Sequence, residues 1–352
     1  MRLPMGSCRS DARARSSTKT RPTVDALPYS REPTPFVGGH ALFRPTARPH
    51  SSRPAHLVAS EVLAASYYTD KVSVVVGASS GIGRAVAERL ARDGAHVLAV
   101  GRSATALGEL EAELREAGVR IETAAADVRD EEAMNGIIAG VVQQHGRIDL
   151  LYNGAGFGLL GFCEETSLRD WERMFAVCVK GVVHGIHAAY PVMCEQGFGQ
   201  IVNVASLAGL IPLPASTAYV GAKHAVVGLS QSLRLEARRH GVSVSVVCPA
   251  AVETPIFDES RSRYVNFDAE KIMAARPGGV LTADACAKKI LAGVRRNRAI
   301  ITPGPARILW LMHRFFPALT QWMMNRMVRS LEEAHSPPEA PGRLSRTKAG
   351  GE

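Results

Sequence analysis

A tyrosine and a lysine four residues apart are the feature of this sequence best suited to chemistry. Tyr219 and Lys223 would share one face of a helix, so that a phenol and an ammonium lie side by side. A phenol is a poor base at neutral pH, and a nearby positive charge favours its ionised form. The pair is therefore a candidate catalytic site.

Ser206 stands thirteen residues before Tyr219, just after the apolar run 201–204. Strand ends and helix starts at the carboxyl edge of an open sheet are where ligands bind. A serine hydroxyl there could hydrogen-bond an oxygen on which negative charge develops. Each residue alone could be an ordinary polar residue at the end of an element, so the prediction of an active site depends on all three together.

A glycine-rich turn follows the β-branched run 72–76 and precedes a helical pattern. Glycines allow a tight turn and a close backbone approach, and a helix start offers N–H groups and the positive end of a dipole. This combination suits a pyrophosphate, and it predicts a dinucleotide site between the first strand and the first helix. The predicted binding residues of this turn are Gly77, Ser79, Ser80, Gly81, Ile82 and Gly83.

The same turn also fits a second chemistry, since residues 77–81 match the Gly-x-Ser-x-Gly elbow of α/β-hydrolases. Ser79 would then be the nucleophile, and a downstream histidine such as His224 or His313 could complete a triad. An elbow normally follows several strands, whereas no folded pattern precedes Lys71. A serine hydrolase therefore remains a remote alternative.

The end of the second predicted strand bears on which dinucleotide binds. An acidic residue about 20 positions after the glycines accepts the ribose 2′-hydroxyl of NAD, whereas an arginine accommodates the 2′-phosphate of NADP. Gly101 stands at the acidic position, and Arg102 follows it. A guanidinium can fork onto a phosphate, although Arg102 could also simply end a strand in solvent. The sequence predicts NADP(H) in preference to NAD(H).

Strand and helix patterns alternate around these residues. Continuous apolar strands separated by helices imply a parallel sheet that is covered on both faces. We predict one Rossmann-type, doubly wound α/β domain of three α/β/α layers, the NADP-binding catalytic domain, over residues 67–305. The predicted strands are 72–76, 95–100, 119–125, 148–152, 199–204, 242–247 and 298–302, and the predicted helices are 81–93, 103–117, 130–145, 168–195, 217–240 and 282–296.

Composition excludes several other classes of protein. Of the net charge of +9, residues 1–60 carry +7, from ten Lys and Arg against three acidic residues. A nucleic-acid-binding domain would keep its own basic excess, so we predict no nucleic-acid partner. The six cysteines are scattered without metal-ligand spacing, which predicts no metal and reduced thiols in the cytoplasm. The sequence contains no uninterrupted run of eighteen apolar residues, so we predict no membrane-spanning helix.

The two ends of the chain differ from this domain. Residues 1–66 hold eight of the twenty prolines and no sustained apolar period, so we predict a disordered, basic extension. A transit peptide is an alternative that these prolines disfavour, and a start codon assigned too early is another. Residues 335–352 are predicted to form a disordered tail.

Residues 306–334 are predicted to form an amphipathic helical extension that is interrupted at Pro317. Two interpretations stay open. The helices could cover the core or a dimer contact, or residues 308–328 could lie on a membrane surface near an apolar substrate. The apolar residues that recur there are Ile308, Met312, Phe315, Leu319, Trp322 and Met327.

In their order along the chain, these motifs resemble those of the short-chain dehydrogenase/reductase family over about residues 70–300. The resemblance implies reversible hydride transfer between the nicotinamide and a carbonyl or alcohol of a small-molecule substrate, which we expect to be apolar. Tyr219 would exchange the proton, Lys223 would also hold the nicotinamide ribose, and Ser206 would bind the substrate oxygen. A homodimer or homotetramer is implied as well.

The resemblance also implies the remaining cofactor contacts. The polar segment between Pro255 and Val280 would be a lid over the substrate. Beyond the glycine turn, Arg102, Tyr219 and Lys223, the implied cofactor-binding residues are Asp127, Val128, Asn153, Gly154, Ala155, Pro249, Val252 and Thr254.

The sequence departs from the family pattern at several positions. Cys178 stands where the family has an asparagine that helps hold a water beside the lysine, partly through its main chain, and a thiol is a weaker partner than an amide. This departure motivates a second hypothesis, a non-catalytic dinucleotide-binding sensor or scaffold. Val76, Gly154 and Ala250 replace the usual threonine, asparagine and glycine.

Overall fold

The structure is a computed structural model, and it describes residues 67–257, 263–264 and 280–334. The predicted disordered segments 1–66 and 335–352, and most of the predicted lid between Pro255 and Val280, lie outside the described residues.

Seven parallel strands form the central sheet. They are β1 (Val72–Val76), β2 (His96–Gly101), β3 (Glu122–Ala125), β4 (Leu150–Asn153), β5 (Gly199–Val204), β6 (Val242–Val247) and β7 (Ile300–Ile301). Their spatial order is β7-β6-β5-β4-β1-β2-β3, so β1 pairs with β2 on one side and with β4 on the other. The strand order reverses at β1, and in such sheets ligands bind in the crevice above this point.

Helices cover both faces of the sheet. They are α1 (Gly81–Arg92), α2 (Ala104–Glu116), α3 (Glu131–His145), α4 (Leu168–Phe175), α5 (Gly181–Gln196), α6 (Thr217–Ala237), α7 (Ala283–Arg295), α8 (Ala306–Phe315) and α9 (Pro317–Ala334). Side chains alternate between the faces of a strand, so Val75 packs in the core under α1, α2 and α7, while Val74 and Val76 pack in the core under α3 and α5. The predicted fold class, a Rossmann-type sheet in three layers, is confirmed.

The predicted helix 168–195 is a helical stretch with a π-helical turn in its middle. α4 begins with a capping box between Ser167 and Asp170, and the π turn Ala176–Lys180 joins it to α5. Such a turn inserts a residue and frequently occurs at functional sites. Sequence periodicity did not predict it, and it contains Cys178.

The stretch Leu168–Gln196 is also long and apolar enough, by length and composition, to cross a membrane. However, Val182, Ala189 and Met193 are buried against the rest of the domain. Buried positions of this kind are typical of a core helix.

The break between α8 and α9 falls where the sequence predicted it. Phe316 leaves the helical conformation, with φ −130° and ψ 62°, and Pro317 begins the next helix. Proline suits the first helical position because its missing N–H would have no intrahelical partner there. We call the pair α8–α9 the C-terminal hairpin.

Candidate active site

One cavity of about 690 Å³ collects most of the predicted site residues above the carboxyl ends of the central strands. Two of the predicted residues, Asp127 and Asn153, are absent from its wall. The predicted residues that line it are Gly77, Ser79, Ser80, Gly81, Ile82, Gly83, Arg102, Val128, Gly154, Ala155, Ser206, Tyr219, Lys223, Pro249, Val252 and Thr254.

The phenol and the ammonium lie together in this wall. α6 begins at Thr217, so Tyr219 is in its first turn and Lys223 follows one turn later. Lys223 is only 4% exposed, and its Nζ donates a 3.1 Å hydrogen bond to the carbonyl of Val204 at the end of β5. The same Nζ lies 5.6 Å from the centre of the Tyr219 ring. The phenol ring and the ammonium therefore lie side by side on the cavity wall.

Ser206 is positioned by the turn that follows β5. Its Oγ accepts a 3.2 Å hydrogen bond from the N–H of Ala208, at the start of a short 3₁₀ turn. A Cβ at Gly209 would lie 2.6 Å from the Lys223 carbonyl oxygen, so this turn packs directly onto α6. The close packing fixes the serine relative to the helix that carries Tyr219 and Lys223.

The glycine turn between β1 and α1 leaves no room for a side chain at Gly77 or Gly83. Gly77 has φ +86°, and a Cβ on it would lie 2.6 Å from the backbone nitrogen of Ala155. A Cβ at Gly83 would lie 2.1 Å from the Gly77 carbonyl oxygen. Ser80 precedes α1 and makes no capping hydrogen bond with its side chain, so the first N–H groups of the helix are not capped by it. This cradle, next to the positive end of the helix dipole, fits the diphosphate of a nicotinamide dinucleotide.

Arg102 follows β2 on the wall of the same cavity, beside the glycine turn. A Cβ at the preceding Gly101 would lie 3.1 Å from Ser79 Cβ and 3.3 Å from the Ser79 nitrogen. An aspartate at position 101 would therefore crowd the turn, which disfavours the acidic side chain typical of NAD-binding sites.

Asp127 pairs with an arginine instead of lining the cavity. Arg129 Nη2 donates a 2.7 Å hydrogen bond to Asp127 Oδ2. Hydrogen bonding from Arg129 holds the pKa of the Asp127 carboxyl below its ordinary value, against the opposing effect of burial, and the charge of Arg102 acts in the same direction as Arg129. The carboxylate therefore stays ionised between two guanidinium groups.

Asn153 is buried within the sheet. Its Nδ2 donates a 2.9 Å hydrogen bond to Asn203 Oδ1, and Asn203 Nδ2 donates a 3.0 Å hydrogen bond to Ser230 Oγ. This buried chain joins β4, β5 and α6. The Asn153 side chain thus connects the elements beneath the cavity, whereas the neighbouring residues Gly154 and Ala155 form part of the cavity wall.

Cys178 is fully buried in the π turn, close to the catalytic candidates. A Cβ at Gly156 would lie 3.5 Å from both Cys178 Sγ and Lys223 Nζ. The thiol and the ammonium therefore border the same small space, which a larger residue than glycine at position 156 would fill.

None of the described cysteines is paired in a disulfide. Cys163, Cys178, Cys194, Cys248 and Cys286 are all unpaired, and no cluster of metal-ligating side chains occurs among the described residues. Burial raises the pKa of the Cys248 thiol to about 12, although the nearby charge of Lys223 opposes it. This thiol stays protonated and is a poor nucleophile.

The sequence did not predict that the C-terminal hairpin forms part of the cavity wall. Met312 and Met327 face the cavity, whereas Ile308, Phe315, Leu319 and Trp322 are exposed. The apolar positions that recur in the sequence thus fall on two faces of the hairpin, one toward the cavity and one exposed. The methionines at positions 312, 323, 324 and 327 were the feature of the sequence that could have indicated this part of the wall. The hairpin residues on the cavity wall are Leu309, Met312, Thr320, Met323, Met324 and Met327.

Comparisons with known proteins agree with this geometry. Residues 71–265 match a family model described as short chain dehydrogenase. The chain is 34% identical over 194 residues to the 3beta-hydroxysteroid dehydrogenase of Mediterraneibacter gnavus, an alignment that covers 55% of this chain and 70% of that protein. Neither the sensor nor the serine hydrolase hypothesis is favoured by these relatives.

Two solved structures are similar as well. One is a short chain dehydrogenase/reductase from Burkholderia phymatum in complex with NAD, with a TM-score of 0.64, 30% identity and coverage of 78% of this chain and 98% of that one. The other is actinorhodin polyketide ketoreductase with NADPH, with a TM-score of 0.61, 31% identity and coverage of 67% and 97%.

Proposed function

Because the chain belongs to the short-chain dehydrogenase/reductase family, we propose that it transfers a hydride reversibly between NADP(H) and an apolar carbonyl or alcohol. It is an oxidoreductase of CH–OH groups that uses a nicotinamide dinucleotide. The observation that carries the proposal is the 5.6 Å separation of Lys223 Nζ from the Tyr219 ring, in a cavity that also contains the glycine turn.

The proposed chemistry divides among three side chains. The bound nicotinamide supplies or accepts the hydride. Tyr219 donates a proton to the carbonyl oxygen during reduction and accepts it from the alcohol during oxidation. Lys223 stabilises the phenolate by its charge, and Ser206 hydrogen-bonds the substrate oxygen as negative charge develops there.

The proposed cofactor contacts follow the cavity from the glycine turn. The N–H groups at the start of α1 bind the diphosphate, and Arg102 binds the 2′-phosphate. Two observations support NADP(H): Arg102 lies on the cavity wall, and Gly101 has little space for an acidic side chain. Val128 contacts the adenine, next to the backbone of Asp127. Asn153, Gly154 and Ala155 support the middle of the cofactor, and Pro249, Val252 and Thr254 contact the nicotinamide end.

An apolar substrate is supported by the far end of the cavity. The C-terminal hairpin contributes four methionines there, and Leu213 adds a further apolar side chain. Methionine is flexible and polarizable, so it adapts to apolar molecules of different shapes. We propose a bulky or elongated substrate rather than a small hydroxy acid.

The proposal also includes a cytoplasmic homodimer or homotetramer with peripheral membrane contact through residues 308–328. Exposed apolar side chains outside the hairpin support self-association, among them Leu168, Phe175 and Val183 on the stretch from α4 to α5. Light scattering coupled to size-exclusion chromatography measures the oligomeric state directly.

A substrate screen with a matched variant tests the function. Purified protein is assayed for NADPH and NADH oxidation with aldehydes, ketones, steroids and long-chain carbonyls, beside Tyr219→Phe, which removes only the hydroxyl. We expect wild-type turnover with apolar carbonyls, and no turnover but unchanged NADPH affinity in the variant. Equal activity of the two proteins would disprove the mechanism. Cofactor binding without wild-type turnover across the panel would favour the sensor hypothesis.

A further inference from the structure

The C-terminal hairpin has two apolar faces, although a helix pair that only covers a cavity needs one. Its inner face lines the cavity through residues such as Met312 and Met324. Its outer face exposes a second set of large apolar side chains, with relative exposures from 38% to 71%. These are Ile308, Leu311, Phe315, Phe316, Leu319 and Trp322.

This outer face is a concentrated patch. It contributes six of the twelve large hydrophobic side chains that are exposed among the described residues, all within positions 308–322. Single exposed apolar residues are normal, but contiguous ones mark an interaction surface. The hairpin also lies beyond residues 71–265, the range that matches the family model.

Positive charge surrounds the patch. Arg307, Arg314, Arg326 and Arg329 are exposed on the same two helices, and residues 285–331 contain no Asp or Glu at all. Helices that lie in the lipid–water interface combine an apolar face bearing Trp, Phe and Leu with Lys or Arg. Arginine side chains there can extend toward the headgroups while their stems stay on apolar surface.

Charge also argues against two other occupants of the patch. In a two-fold symmetric contact between copies, both surfaces carry the same four arginines, and residues 285–331 contain no acidic side chain to pair with them. Residues 1–60 carry +7 and would be repelled by the same arginines. An anionic surface carries the charge opposite to that of the arginines and therefore complements the patch.

We propose that the outer face of the C-terminal hairpin docks on an anionic lipid bilayer, and that the enzyme takes its substrate from that bilayer. The substrate class is a lipid-dissolved carbonyl or alcohol. The substrate enters between the hairpin and the rest of the cavity wall, since the two helices of the hairpin contact the lipid on one side and line the cavity on the other. The identity of the substrate rests on the proposed oxidoreductase function, whereas docking itself does not.

Vesicle sedimentation tests docking with the full-length protein. The vesicles are phosphatidylcholine alone or phosphatidylcholine with phosphatidylglycerol. The variants are Phe315→Ser/Trp322→Ser and, as a matched control, Leu235→Ser, which alters an exposed leucine on α6. We expect binding to the anionic vesicles to weaken about tenfold or more in the double variant, because two aromatic side chains no longer leave water. The control should bind within about twofold of wild type.

Tryptophan fluorescence distinguishes insertion from simple attraction of the basic N-terminal residues. The chain has three tryptophans, and Trp322 is the exposed one on the outer face. Lipids brominated on their acyl chains should quench its fluorescence, and Trp322→Phe should abolish that quenching while vesicle binding persists. Binding of the double variant equal to that of wild type would overturn the proposal, because charge outside the hairpin would then account for it. A changed oligomeric state in the double variant would overturn it too, in favour of a second copy.

Activity assays separate this proposal from the proposed function. Each variant is assayed with a water-soluble carbonyl and with a long-chain ketone dissolved in anionic vesicles. We expect the double variant to keep its rate with the soluble carbonyl and to show a raised KM for the vesicle-borne ketone. An unchanged KM would refute substrate uptake from the bilayer. If the wild-type protein turned over none of the carbonyls, the oxidoreductase proposal would be refuted, but the result of the vesicle-binding experiment would still hold.

Discussion

The Lys223 ammonium lies 5.6 Å from the centre of the Tyr219 ring, one turn further along α6. The helix alone does not set this distance, because lysine has many rotamers. The hydrogen bond from Lys223 to the Val204 carbonyl fixes the ammonium at the end of β5. The sheet and the helix therefore position the charge together, and the side chain is buried, which strengthens its electrostatic effect.

Lys223→Met should remove the charge while retaining most of the side-chain volume. We expect kcat to fall by about 10²–10⁴-fold, the range for loss of acid–base catalysis. The Val204 carbonyl also loses its donor, so the free energy of unfolding should fall by about 1–3 kcal/mol. Initial rates and urea denaturation measure the two effects. Lys289→Met, at an exposed position of α7, is the control and should change neither. A variant that is destabilised but fully active would show that the lysine is only structural.

Arg102→Ala tests the cofactor preference. If the guanidinium binds the 2′-phosphate, its removal should lower kcat/KM for NADPH by about 10–100-fold, the equivalent of one or two charge-assisted hydrogen bonds. The value for NADH should change little, because NADH lacks that phosphate. This single substitution is cleaner than an aspartate at Gly101, whose side chain would crowd Ser79. Arg115→Ala on α2 is the control, and an unchanged NADPH/NADH ratio in Arg102→Ala would contradict the NADP assignment.

The sequence predicted the sheet and the centre of the site because both depend on local patterns. The run Val72–Val76 is buried at each position and apolar at all except Ser73, as is typical of a strand buried on both faces, and its valines divide between the two cores. One contact that requires glycine in the turn is local, because a Cβ at Gly83 would meet the carbonyl of Gly77. Spacing along a helix brings Tyr219 next to Lys223 without reference to the rest of the chain.

The features that the sequence did not predict depend on distant contacts. Helical periodicity did not reveal the π turn at Cys178, where one inserted residue shifts the phase of the apolar positions that follow it. The direction of the Asn153 side chain depends on Asn203, fifty residues away. The two faces of the C-terminal hairpin follow from how it packs over the cavity, which its own sequence does not specify.

Cys178→Ala tests whether the thiol contributes to catalysis. The thiol borders the space beside Lys223, but a thiol is a weak donor and acceptor. We expect kcat to stay within about threefold of wild type, a difference below 1 kcal/mol in the barrier. Cys286→Ala, in the other core, controls for the loss of buried volume. A fall of two orders of magnitude in Cys178→Ala alone would show that the thiol itself relays a proton.

Gly185→Ala tests the buried chain from Asn153 to Ser230. A Cβ at Gly185 would lie 2.2 Å from Asn153 Oδ1, so the alanine must displace this amide and weaken its hydrogen bond to Asn203. Overpacking together with an unsatisfied buried amide should cost about 1–3 kcal/mol in the free energy of unfolding. Urea denaturation measures this cost, and a fall in NADPH affinity should accompany it because Gly154 and Ala155 follow Asn153 in the cavity wall.

The matched control for this substitution is Gly140→Ala on α3, where nothing lies within 4 Å of the added Cβ. At this position alanine lowers the backbone entropy of the unfolded chain without a clash in the folded one, so the free energy of unfolding should rise by about 0.5–1 kcal/mol. Both substitutions add the same methyl group inside a helix, so their helix propensities change alike. The difference between the two variants therefore isolates the contact with Asn153. If both variants shift the urea midpoint in the same direction and by the same amount, the amide is not held against Gly185, and the buried chain does not stabilise the strands beneath the cavity.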